Sequence, residues 1–198
     1  MKASVLFSGG KDSSLSAILL DRFFDVELIT CNFSILPIRE VAQEAAAELG
    51  FSHKMLKLDN EIMENAFNII VKDGYPKNAI NYIHHKAVET LASDESVNII
   101  ADGIRRDDRV PLLTDPQIRS IEDRHGIHYI CPLRGYGRAA VNMLVKQYLI
   151  IEEGLSDEVL KADYETELRE VIRQRIGQDK ISGMFPSHIQ SRVTGRVK

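Results

Sequence analysis

Ser8-Gly9-Gly10-Lys11-Asp12-Ser13-Ser14 has the residue types and spacing to bind an anion. It lies between an apolar run, Ala3–Phe7, and a helix-like run, Leu15–Leu20, so a strand feeds a glycine-rich turn that opens a helix. Such a junction aims orphan backbone N–H groups and the positive end of the helix dipole at one point, which suits phosphate. Gly9 and Gly10 let the backbone approach the anion, and Ser8, Ser13 and Ser14 add hydroxyl donors. The wording is neither the GxxxxGK of P-loop NTPases nor the GxGxxG of dinucleotide folds. A second charged constellation reads Asp102-Gly103-Ile104-Arg105-Arg106-Asp107-Asp108-Arg109. Arginines clamp phosphate or carboxylate oxygens in pairs, and aspartates hold Mg²⁺ beside phosphate. Asp12, with Asp107 or Asp108, supplies the candidate metal ligands.

These residues need elements to position them. Apolar patterning predicts strands over Lys2–Phe7, Val26–Phe33, Ser52–Leu58, Val97–Ala101 and Ile127–Cys131. Between and after them, helical spacing covers Ser13–Phe24, Pro37–Leu49, Asn60–Lys72, Ala79–Ala92, Pro116–His125, Arg138–Ile151 and Tyr164–Ile176. Alternating β and α units with near-continuous apolar strands imply an α/β fold, a doubly wound parallel sheet covered on both faces. Ligands in such sheets bind beyond the carboxyl ends of the strands. Ser8–Ser14, Cys31–Ser34, Asp102–Asp108 and Pro132–Arg134 are therefore expected around the site.

The SGGKDS of residues 8–13 resembles the PP-loop of the ATP pyrophosphatases, the adenine nucleotide alpha hydrolase group. The resemblance covers about residues 1–150 and implies a five-stranded, HUP/Rossmann-like sandwich of strand order 3-2-1-4-5. Residues 151–198 then form a C-terminal helix and basic tail packed on the same domain or on a partner subunit. The resemblance implies cleavage of ATP between its α- and β-phosphates, with an oxygen of a second substrate adenylated. Ser8, Gly9, Gly10, Asp12, Ser13 and Ser14 would hold pyrophosphate, the strand end Cys31-Asn32-Phe33 adenine, and Gly103 would let ATP approach. Lys11, Asp12, Ser13, Arg105 and Asp108 are the implied catalytic set; Lys11 either stabilises pyrophosphate charge or points outward. Cys131-Pro132-Leu133-Arg134 resembles the substrate-side loop of tRNA lysidine synthetase and thiolation relatives, so Arg134 and Arg138, with Arg106, Arg109 and His84, would face the second substrate. ATP and Mg²⁺ are the implied cofactors. Iron–sulfur-dependent tRNA thiolases carry Cys-x-x-Cys before strand 4, where this chain reads Asn81-Tyr82-Ile83-His84-His85-Lys86, so no iron–sulfur cluster is expected. A non-catalytic nucleotide sensor of the universal-stress type is the competing reading.

Composition narrows the classes further. The chain has 198 residues, a net charge of −4 and two cysteines, so it carries no global basic field and no disulfide framework. No signal peptide or membrane span is visible, which points to the cytoplasm without a membrane partner. Adjacent His84 and His85 diverge by about 100° on a helix and make a poor metal pair. Lys180, Arg192, Arg196 and Lys198 make the tail basic, which leaves tRNA and a homodimer open as partners beside ATP and an unidentified second substrate.

Overall fold

The computed structural model describes residues 1–156 and 161–197; Lys198 of the expected basic tail lies outside them. The elements are β1 (Lys2–Leu6), α1 (Lys11–Leu20), β2 (Asp25–Asn32), α2 (Arg39–Leu49), β3 (Ser52–Lys57), α3 (Asn60–Asp73), α4 (Lys77–Ala92) and β4 (Ile99–Ala101). They continue with α5 (Asp115–His125), β5 (His128–Ile130), α6 (Arg138–Tyr148), β6 (Leu149–Leu155), α7 (Tyr164–Ile176), α8 (Ile181–Met184) and β7 (Ile189–Arg196).

The five parallel strands run in the order β3-β2-β1-β4-β5. β1 is central because it is apolar on both faces: Ala3, Ser4, Val5 and Leu6 are all buried, and Val5 pairs with Leu28 on one side and Ala101 on the other. Its two faces feed two cores. Val5 and Leu28 meet Leu15, Ile18, Leu49, Val141 and Val145, from α1, α2 and α6. Leu6 and Ile29 meet Met63, Ile70, Ile83, Val88, Ile121, Leu168 and Ile172, from α3, α4, α5 and α7. The chain leaves β1 toward β2 and returns to β4 on its other side, so the crevice of a doubly wound sheet opens where the Ser8–Ser14 turn stands.

The expected helix over Arg138–Ile151 ends three residues early, at Tyr148. Leu149-Ile150-Ile151 leaves it as a strand, because β-branched side chains pack well on a pleated surface and β7 supplies an antiparallel partner. Leu149 pairs with Arg196 and Leu155 with Ile189, giving a second, two-stranded sheet. The expected tail is therefore ordered structure: a 3₁₀ turn at Gln178–Lys180, then α8, then β7. β7 lies against the Ser8–Ser14 turn, where Val193 N–H donates to Gly9 C=O at 2.9 Å. Among the described residues, no helix is long and apolar enough to cross a membrane.

Candidate functional site

The turn from β1 into α1 is built for close approach. Gly9 sits at φ +74°, in the left-handed region that side chains rarely adopt, with Ala45 of α2 3.6 Å from where its Cβ would be. Gly10 is extended and N-caps α1 with no side-chain hydrogen bond to the helix. Ser13 and Ser14 donate their hydroxyls to Gly10 C=O at 3.1 and 2.9 Å, which stiffens the turn from inside. Ser14 is fully buried, and its hydroxyl is spent on the turn.

Gly103 has a packing role besides the expected one. An ideal Cβ on it would lie 2.5 Å from Ser13 N, 2.7 Å from Asp12 C and 2.8 Å from Ser13 Cα. The first turn of α1 rests directly on the end of β4, so the missing side chain admits the helix backbone. Ser16 ties the same contact from the helix side, donating its hydroxyl to Asp102 C=O at 2.7 Å.

Beyond these strand ends lies a cavity of about 370 Å³, within the range that holds small-molecule ligands. Ser8, Lys11, Asp12, Ser13, Cys31, His84, Gly103, Arg105, Asp108 and Arg138 line it, so residues spread from β1 to α6 are brought together. Arg105 is its organising cation. Its backbone N–H donates to Asp108 Oδ2 at 2.8 Å, its Nε and Nη2 donate to Asp108 Oδ1, and its Nε stands 3.6 Å from Asp12 Oδ2. Arg105 Nη1 and Asp12 Oδ1 are buried without a hydrogen-bond partner. Burial pushes the Asp12 carboxyl above its usual range, while Arg105 and Lys11 pull it back. Lys11 Nζ reaches Glu153 of β6 at 3.4 Å.

Other predicted residues are directed elsewhere. Asp107 Oδ2 accepts from Arg138 N–H at 2.9 Å, so this carboxylate caps the start of α6, and that bond holds its pKa down. Asp108 is committed to Arg105. Of the expected metal set Asp12, Asp107 and Asp108, Asp12 keeps a buried carboxylate oxygen without a partner, and among the described residues no group of three or more His, Cys, Asp or Glu is placed to hold a metal ion. Arg134 pairs with Asp115 of α5 at 2.9 Å, Arg106 extends over Gly135 and Gly137, and Arg109 is exposed outside the cavity. At the end of β2, Phe33 is buried in the core and its N–H donates to Glu167 Oε2 at 2.8 Å; Asn32 C=O accepts from Leu58 N–H. The expected adenine contacts at Asn32 and Phe33 are thus occupied by the fold, whereas Cys31 remains at the cavity wall.

The deep end of the cavity holds a polar cluster that sequence reading saw only in part. Asp102 and His84 are each 3% exposed. Asp102 Oδ1 accepts from Ile104 N–H at 3.0 Å, and its Oδ2 accepts from the Tyr129 hydroxyl and stands 3.5 Å from His84 Nε2. The His84 ring faces that of Tyr164 with centroids 6.2 Å apart. Burial pushes both phenols well above their ordinary range, so each keeps its proton as a donor. Burial likewise pushes the Cys31 thiol up to about 12, and the Cys131 thiol further still. Neither is a thiolate nucleophile near neutral pH.

The C-terminal segment supplies the remaining wall. Ala162 N–H donates to Ser8 C=O at 3.2 Å, Lys11 N–H reaches Ser191 Oγ at 3.5 Å, and Lys161, Tyr164, His188 and Gln190 face the same space. No local signal in the sequence marks these residues, because their approach depends on the pairing of β6 with β7.

The chain is 44% identical, over its whole length and 98% of the relative's, to the uncharacterized protein MJ0690 of Methanocaldococcus jannaschii. A crystal structure described as a predicted subunit of a tRNA methyltransferase, from the same organism, matches all of this chain and 99% of its own at 43% identity and TM-score 0.90. The U34-tRNA thiolase NcsA from Methanococcus maripaludis, described with its 4Fe–4S cluster, shares the fold at 18% identity and TM-score 0.50, over 92% of this chain and 70% of its own. The thiolase corrects the expectation that no iron–sulfur cluster goes with this fold, since a chain of the fold is described with one. The two cysteines here do not fit that group: Cys31 on β2 and Cys131 after β5 are three strand spacings apart, about 14 Å. A family model spans residues 1–195, and the chain belongs to that family, the family of unknown function DUF7411.

Proposed function

We propose that this chain is an enzyme of the PP-loop ATP pyrophosphatase superfamily. In this reading it cleaves ATP between the α- and β-phosphates by adenylating an oxygen of an RNA base, as a step in tRNA modification. The observation that carries the reading is the Ser8–Ser14 turn itself. It stands at the end of the central strand, caps α1 with bare glycine, carries Lys11, and shares a cavity of ligand size with Arg105. The relatives support the RNA half: one is described as a predicted subunit of a tRNA methyltransferase and another as a tRNA thiolase.

The chemistry asks little of the side chains beyond position and charge. A substrate oxygen attacks the α-phosphorus; the bond from that phosphorus to the α–β bridging oxygen breaks, and pyrophosphate leaves with the electron pair. The N–H groups of the first turn of α1, Lys11 and the unpartnered Nη1 of Arg105 receive the charge that develops on the leaving group. Asp12 and Asp108 hold Arg105 in place for that contact. A nucleophile then displaces AMP from the activated carbon. The apolar wall of Phe7, Ile29, Ile80, Val110 and Pro111 suits the base of the nucleotide.

Calorimetric titration with ATP, paired with a pyrophosphate-release assay in the presence of unmodified tRNA transcripts, tests the reading. Expected are saturable binding by the wild type, a loss of at least tenfold in affinity for Arg105→Met, and pyrophosphate release that requires RNA. Binding without release across the transcripts would favour the nucleotide sensor.

A further inference from the structure

Resting on that reading of the cavity as a nucleotide site, we propose that Lys161 is a third cation of the polyphosphate subsite. It is contributed by the C-terminal segment and contacts the phosphate chain beyond the α-phosphate. Lys161 lies against Gly10: an ideal Cβ there would meet its Cε and Nζ at 3.1 Å each. That location is electrostatically unfavourable for an ammonium left alone. Gly10 is the N-cap of α1, where the helix dipole is positive and favours anions, and Lys11 and Arg105 already stand on the same cavity. Its compensation within the chain is Asp163 Oδ2 at 4.0 Å and the Asp12 carboxylate, which it shares with Arg105 and Lys11, and the Lys161 side chain is 19% exposed. An anion between the three cations and the uncapped turn relieves all of these terms together.

Two unpartnered groups point to a ligand in the same space: Arg105 Nη1 is a buried donor that suits an anion, and Gln190 Oε1, on a residue 7% exposed, is an acceptor that suits a ligand hydroxyl. The backbone also fixes Lys161 relative to the loop. Its neighbour Ala162 donates to Ser8 C=O at 3.2 Å, and Val193 of β7 donates to Gly9 C=O at 2.9 Å, so the segment is laced to both sides of the turn. The ammonium therefore meets phosphates gathered at Gly10. Placed against Gly10, it should distinguish nucleoside triphosphate and pyrophosphate from monophosphate.

The test is calorimetric titration of the wild type and Lys161→Met with ATP, inorganic pyrophosphate and AMP. A charge-assisted contact of this kind predicts a loss of about 10- to 100-fold for ATP and pyrophosphate. Less than threefold is expected for AMP, with affinity restored in Lys161→Arg. Equal affinities in wild type and K161M, with ATP bound by both, would overturn the role of Lys161 while leaving the proposed function standing. If the wild type binds pyrophosphate through Lys161 but not ATP, the proposed function falls and the polyphosphate subsite remains. Binding of neither removes both. Acylation of lysines in the wild type, read by mass spectrometry, needs no variant: ATP and pyrophosphate should shield Lys161 and AMP should not. Equal labelling of Lys161 under saturating ATP would also refute the assignment.

Discussion

Gly103→Ala is the sharpest structural perturbation of the site. Gly103 has an ordinary backbone conformation, so the substitution adds a methyl group and no torsional strain. That methyl meets main chain on the other side of the contact: Ser13 N at 2.5 Å, where ordinary contact begins at 3.4 Å. The first turn of α1 must therefore withdraw by about 0.9 Å from the end of β4. Neither side can yield by a rotamer change, so the cost belongs at the upper end of overpacking, about 2–3 kcal/mol. For a domain of this size that corresponds to a fall in Tm of about 5–10 °C. On the proposed function, a shift of about 1 Å in the Ser8–Ser14 turn should also lower ATP turnover about 100-fold. Scanning calorimetry reads the first number and nucleotide titration with turnover reads the second. Gly135→Ala is the control, since its Cβ would meet nothing within 4 Å. A Gly103→Ala protein that melts within 1 °C of wild type and binds ATP equally would refute the argument that β4 sets the position of the turn.

Other outcomes follow from individual contacts. Glu167 is fully buried and accepts from Phe33 N–H at 2.8 Å and Ile35 N–H at 2.9 Å, so Glu167→Ala strands two donors. It should lose about 2–6 kcal/mol in denaturant unfolding. The Cys31 thiol, held up to about 12 by burial, should react with iodoacetamide at pH 8 at least 100-fold slower than in the unfolded chain. Burial would raise the Glu89 carboxyl, but Lys86 and Arg124 outweigh it and hold the group at about 2 against an ordinary 4.5. A depressed carboxyl stabilises the fold above the unfolded value and loses that contribution as pH falls toward the folded one. Stability measured by denaturant should therefore drop between about pH 4.5 and about pH 2, and Glu89→Gln should flatten that limb.

The sheet was legible in the sequence because its signals are local. β1 is apolar on both faces, a glycine-rich turn follows it directly, and apolar strands alternate with helix-period segments. The order 3-2-1-4-5 came with the wording of the Ser8–Ser13 turn. What escaped is non-local. Leu149–Ile151 continues the apolar spacing of α6 and reads as more helix until Val193 and Arg196 arrive as pairing partners more than forty positions later. Gly103 was visible as a glycine at a strand end, but its reason, the approach of Ser13 N, exists only in three dimensions. The same holds for Asp107, which looks like a metal ligand and serves as a cap, and for Phe33, whose N–H is claimed by a carboxylate 134 positions away. His84 was marked as a residue near substrate; its partner Asp102 at the end of β4, and Tyr129 beyond it, became apparent only once α4 and β5 were set side by side.

The central claim is that ATP is opened at its α-phosphate to activate an RNA base. The direct measurement is the fate of the label when the chain is incubated with α-³²P-ATP and unmodified tRNA transcripts. The account predicts that label passes to RNA-bound adenylate or to free AMP, only when RNA is present, with none in ADP. Label appearing in ADP, or ATP that stays intact while bound in the presence of every transcript, would contradict it.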